Sequence, residues 1–132
     1  MIEEDVYAYI AGDATMGGLI GTGNDCRLYP DEASPKNPTA PYIVARVQSD
    51  PGKTKSNQVN EIMLGFSIFA TTALAARTIK RRLDVLLDKG AAISIPSSTC
   101  HIKSSWLSGG SSMFEQDTKL YHRAALYTLL YR

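Results

Sequence analysis

The run from Thr118 to Arg132 reads as one β-strand with apolar side chains on both faces. Tyr121, Ala125, Tyr127, Leu129 and Tyr131 share one face, and Leu120, Leu126 and Leu130 share the other. Arg123, His122 and Thr128 are the exceptions. Successive strand side chains point to opposite faces, so a sheet packed on one side only alternates apolar with polar. A chain of 132 residues rarely covers both faces of its sheet by itself. One face is expected to enter the core and the other to meet a partner, a second copy of the same chain. Leu126 and Leu130 are the candidate residues of that subunit interface.

The rest of the chain supplies a sheet for this strand to join. Ile2 to Gly12 reads as a short helix with Ile2, Val6, Tyr9 and Ile10 on one face. Glu3, Glu4 and Asp5 occupy its first turn, where the helix dipole favours negative charge. Asp13 is placed to cap a second helical stretch carrying Met16, Leu19 and Ile20, which Gly17, Gly18, Gly21 and Gly23 keep short. Strands are expected at Cys26 to Tyr29, Tyr42 to Gln48 and Gln58 to Ala70. In the last of these Ile62, Leu64, Phe66 and Ile68 alternate along one face. The proline-rich Pro30 to Pro41 and the polar Asp50 to Asn57 read as loops. Thr71 to Lys89 is the main helix, capped by Thr71 or Thr72 and ended by Gly90. Its buried stripe is Ala75, Ala76, Ile79, Leu83, Leu86 and Leu87, and Asp84 and Asp88 join the basic residues on the exposed side. Pro96 delays the next strand to Ser98 to Leu107, and Gly109 to Ser112 reads as a turn. The order helix, strand, strand, strand, helix, strand, strand predicts an α+β fold. The expected sheet is mostly antiparallel, of about four to five strands, with two main helices packed on one face and room for one parallel pair. One domain over residues 1–132 is expected.

Composition excludes several classes. The net charge of +1 is not that of a polycation built to grip nucleic acid. No apolar stretch is long enough to span a bilayer, so no membrane partner is expected. The N-terminus is acidic where an export signal is basic and then apolar. Cys26 and Cys100 are therefore expected to be reduced thiols.

Candidate chemistry is sparse. Cys100 and His101 are adjacent and point to opposite faces of a strand, and no close ligand pair of the zinc-binding kind occurs. The serines between Ser94 and Ser112 include no nucleophile elbow. Gly52-Lys53-Thr54 matches the end of a phosphate loop, but the required first glycine falls on Val47. No catalytic residue, metal or cofactor is expected. The strongest charged cluster is Arg77, Lys80, Arg81 and Arg82, which reads either as a solvated helix face or as a contact for an acidic partner or passing DNA. Lys53 and Lys55 carry the same two readings and are candidates for a loop that touches a neighbouring ring. Trp106 reads as core, with a subunit-interface anchor as the alternative.

The landmarks taken together resemble the tail-completion or tail-terminator proteins of long-tailed bacteriophages, the neck proteins akin to the minor tail protein U. The likeness rests on the helix Glu3 to Gly12 followed by Leu19-Ile-Gly21, and on Arg27-Leu-Tyr-Pro30 leading through a proline loop to Pro41-Tyr-Ile-Val44. It continues in a long strand entering Thr72-Ala-Leu-Ala-Ala-Arg77 and in the closing strand with Leu120-Tyr-His-Arg123. The resemblance implies a structural virion protein of the neck without catalytic residues. It implies a homomeric ring, usually hexameric, that caps the tail tube and joins it to the head through a connector or head-completion protein. Its channel lets DNA pass with only transient, non-specific contact. The near-neutral charge suits such a channel, because each neutralised phosphate adds affinity. A different head–tail adaptor or small oligomeric module is the alternative, and a small enzyme or nucleic-acid-binding domain the third.

Overall fold

The alternation of Ile62, Leu64, Phe66 and Ile68 drives the architecture: all four are buried under the helices. The computed structural model describes residues 2–30, 39–53, 60–90, 92–95, 101–116 and 119–132. In chain order these form α1 (Ile2–Ala11), α2 (Ala14–Ile20), a single 3-10 turn, β1 (Leu28–Pro30), β2 (Tyr42–Lys53), β3 (Asn60–Ala70), α3 (Ala73–Leu87), β4 (Ile102–Glu115) and β5 (Leu120–Tyr131). The strands make one sheet in the order β1-β2-β3-β5-β4. The fold is α+β, with three helices and a mixed sheet in which β1 and β2 are the parallel pair. The chain leaves β3 through α3 and reaches β4, and β5 then inserts between the two.

One face of the sheet carries the core. Ala125, Tyr127 and Leu129 of β5 lie beside Phe66, Leu64 and Ile62 of β3, and Ile43 and Ala45 of β2 continue the layer. Ile2, Val6 and Ile10 of α1, Met16 and Ile20 of α2, and Ala76, Ile79, Leu83, Leu86 and Leu87 of α3 close over it. The tyrosine rings help to lock the layers, with Phe66 meeting Tyr7 and Tyr127 edge-on at 6.2 and 5.9 Å.

Local chemistry sets the helix ends. The Asp13 carboxylate accepts from the Met16 N–H at 2.8 Å and starts α2. The Thr72 hydroxyl accepts from the Ala75 N–H at 3.1 Å and starts α3. At the other end of α3, Gly90 takes the left-handed conformation, with φ of 59°. That end is clamped to β4: the N–H groups of Lys89 and Gly90 donate to the Ser105 carbonyl at 3.1 and 2.7 Å. The buried Ser105 hydroxyl donates to the Leu87 carbonyl, and Asp88 accepts from the Leu107 N–H at 3.0 Å.

Several boundaries differ from the sequence reading. β2 runs on through Asp50 to Lys53, pairing Gly52 with Glu61 and Lys53 with Asn60, where a loop was expected. Residues 54–59 lie outside the described set, as do most of the expected proline loop and residues 96–100, which include Cys100. The largest correction concerns Gly109 to Ser112. These residues form no turn; they lie inside β4, which begins at Ile102 and continues to Glu115. The register shifts between Leu107 and Gly109, so the glycines serve a bulge. Gly110 also permits close approach to β5: a Cβ there would sit 2.8 Å from the Ala124 carbonyl oxygen.

Candidate functional site

The sheet face turned away from the helices has no described element packed on it. Leu126 lies at its centre, opposite Gly65 on β3 and Gly109 on β4. A Cβ on Gly65 would be 3.3 Å from one Leu126 methyl, and a Cβ on Gly109 3.9 Å from the other. The leucine thus spreads over two glycines, which leaves it half-buried rather than projecting freely. Leu130, also half-buried, and Trp106, 38% exposed, lie on the same face around Thr128. Trp106 is therefore not core; its indole belongs to the open face. Ser108 and Thr128 satisfy each other by a hydroxyl–hydroxyl hydrogen bond there.

An aromatic stack crosses the same face farther along. Phe69 stacks on Tyr42 at 4.8 Å with planes 17° apart, and on His122 at 4.5 Å with planes 6° apart. Tyr29 adjoins Tyr42 at 6.3 Å. Met113, 57% exposed, opposes His122 on the far side. The band reaches all five strands. Contiguous apolar surface of this kind marks interaction sites in soluble proteins, and this band is the candidate site.

The basic run of α3 does not survive as one cluster. Arg82 makes a two-pronged contact with Asp13, Nε to Oδ2 at 2.7 Å and Nη2 to Oδ1 at 2.6 Å. That guanidinium, with the Met16 N–H, holds the Asp13 carboxyl below its ordinary range. Lys80 is paired with Asp84 at 2.7 Å, one turn along the helix. Asp84 in turn accepts from the Tyr127 hydroxyl at 2.5 Å, so it belongs to the α3–β5 contact and not to a solvated face. Burial first, and that hydrogen bond second, push the Tyr127 phenol far above its ordinary value. Arg77 and Arg81 are exposed and have no carboxylate partner among the described residues. A further cation joins Arg77: Arg123 of β5 lines the same groove. Only the pairing of β5 with β3 and β4 brings the two together. Lys53 ends β2, and Lys55 lies outside the described residues.

A groove of about 570 Å³ lies where α1 and α2 meet α3, and Asp13 and Arg82 are its opposed charges. Both are committed to each other and to the cap of α2. Among the described residues no three histidine, cysteine, aspartate or glutamate side chains converge as metal ligands would. No described helix is long and apolar enough to cross a membrane.

No protein-family model matches the chain, and no curated protein matches it. A solved structure does. The chain is similar to one in a structure described as "Virion of native gene transfer agent (GTA) particle", at a TM-score of 0.70. The match covers 96% of this chain and 90% of that one, with 16% sequence identity. At that identity the likeness establishes a shared fold. It spans nearly the whole of both chains.

Proposed function

We propose that this chain is a structural protein of a phage or phage-like virion, a ring subunit that caps the tail tube and joins tail to head. The observation that carries the proposal is the fold shared, over nearly the whole of both chains, with a chain of a gene transfer agent virion. The open apolar face supports it, because Trp106, Leu126 and Leu130 expose a surface suited to a protein partner rather than to solvent. The role needs no catalysis. The partners in this reading are further copies of the chain in a ring, most simply a hexamer, together with the tail tube protein and a connector or head-completion protein. DNA passes through the channel with transient, non-specific contact at the exposed Arg81. Lys53, which ends β2, and Lys55 reach a neighbouring ring. The location that follows is the virion neck.

Incubating the purified chain with tail tubes assembled in its absence tests the role. Density added at one end of each tube, and loss of further tube growth, is the expected result. Tubes that stay bare and continue to elongate would refute it.

A further inference from the structure

Among the described residues the sheet has two edges with no further strand, β1 and β4, and the grooves beside them carry opposite charge. β4 forms one edge. Its first part is occupied by the end of α3, through the bonds from Lys89 and Gly90 to Ser105 and from Leu107 to Asp88. No described strand pairs with its outer side from Gly109 to Phe114. A groove of about 280 Å³ lies between that stretch, the start of β5 and the first turns of α3. Arg77 and Arg123 line it, and none of its described lining residues is a carboxylate. The opposite edge is β1, only three residues long, beside the first turn of α1. The groove there is lined by Glu3 and Glu4, with Arg46 as the one cation among the described residues of its lining.

The two edges stand at the same height in the sheet. Ser112 pairs with Arg123, Arg123 with Ile68, Ile68 with Ile43 and Ile43 with Leu28, in one unbroken row from edge to edge. Strand directions fit as well. Following the pairings across the sheet, β4 runs opposite to β1. A copy placed alongside, helices on the same side, therefore sets β4 antiparallel to the neighbour's β1. That placement also carries Arg77 and Arg123 toward the neighbour's Glu3 and Glu4. An unpaired strand edge is a template for another strand. DNA offers no strand to meet it.

We infer that the occupant of the β4–α3 edge is the β1–α1 edge of a second copy of this chain, with Arg77 and Arg123 against Glu3 and Glu4. The joint uses two different surfaces, so each subunit keeps one of each free and the contact repeats head to tail. This rests on the ring reading above and names its seam: the edges join subunits around the ring, which leaves the open sheet face for partners or further packing.

Charge reversal tests the seam in the full chain. Arg77→Glu with Arg123→Glu, and separately Glu3→Lys with Glu4→Lys, are each expected to reduce the parent oligomer to the 14.4 kDa subunit by light scattering, with the circular dichroism spectrum unchanged. Mixing the two variants restores opposite charge at every joint and is expected to return the parent mass. Arg123 is half-buried, so Arg77→Glu alone, at an exposed position, serves if the double variant misfolds; it is expected to weaken association at least tenfold. Association of the parent should also weaken in 1 M salt, where the screening length is about 3 Å. A parent oligomer with every reversal variant retaining its mass overturns this seam and leaves the ring reading standing. A parent chain that is monomeric at high concentration overturns both.

Discussion

Leu126 offers a quantitative test because its environment is divided between subunit and partner. Within the subunit it lies across Gly65 and Gly109 and stays half-buried. Fully burying a leucine side chain is worth about 1.5–3 kcal/mol. Roughly half of that is already realised in the isolated subunit, so Leu126→Ala should cost on the order of 1 kcal/mol there. A leucine in a packed core costs about 2–5 kcal/mol when truncated to alanine. The remaining half appears only when a partner covers the face, so Leu126→Ala and Leu130→Ala together should weaken a face-to-face contact by ~2 kcal/mol, near thirtyfold. Urea denaturation at low protein concentration reads the first quantity, and titration against the assembled partner reads the second. A subunit cost of 3 kcal/mol or more would show that Leu126 is core and that the open face is not a docking surface. The harsher pair Leu126→Asp and Leu130→Asp should leave the subunit folded and abolish the contact.

Tyr127→Phe removes the bond to Asp84 but leaves Lys80 in place; a hydrogen bond to a charged group is worth about 1.5–3 kcal/mol, and an unchanged urea midpoint would refute the bond. Gly110→Val should destabilise the β4–β5 pairing by more than 1 kcal/mol, since overpacking typically costs about 1–3 kcal/mol, and a neutral result would mean that β4 does not approach Ala124 as described. The Arg82 guanidinium holds the folded Asp13 carboxyl below its ordinary range, so its contribution is present above the ordinary carboxylate range and is lost as pH falls through the lower folded value; acid titration of Asp13→Asn, compared with the parent, should show a shallower loss in that window. Deleting Lys53 to Ser56 should leave thermal stability nearly intact while impairing tail joining, read as infectious titre, and full infectivity would refute the contact role. Duplex binding should be weak and fall along a shallow slope against log salt, because few phosphates are neutralised; tight binding to one sequence at physiological salt would favour a DNA-binding domain instead.

Local signals made much of the fold legible. The alternation from Ile62 to Ile68, the stripe of α3, the Asp13 and Thr72 caps and the left-handed Gly90 each follow from chemistry within a few residues. The apolar second face of β5 was legible for the same reason, and it pointed to the open sheet. The errors arose where distant partners decide. Gly109-Gly110 has the composition of a turn, but β5 holds it in a strand, and reading it as a turn also sent Trp106 into the core. Arg82 finds Asp13 across 69 residues of chain, and Lys80 and Asp84 are tied to Tyr127 of another element. A basic run in sequence therefore says little about free charge. The charged grooves at the two edges were invisible for the same reason: Arg77 and Arg123 come from α3 and β5, and only the strand order sets them at the edge opposite Glu3 and Glu4.

Negative-stain electron microscopy of the purified full-length chain, paired with a solution mass, tests the ring most directly. Closed rings with a central channel, at a whole-number multiple of 14.4 kDa, are predicted. Isolated subunits or two-fold dimers without a channel, at concentrations well above those in an assembling cell, would contradict it.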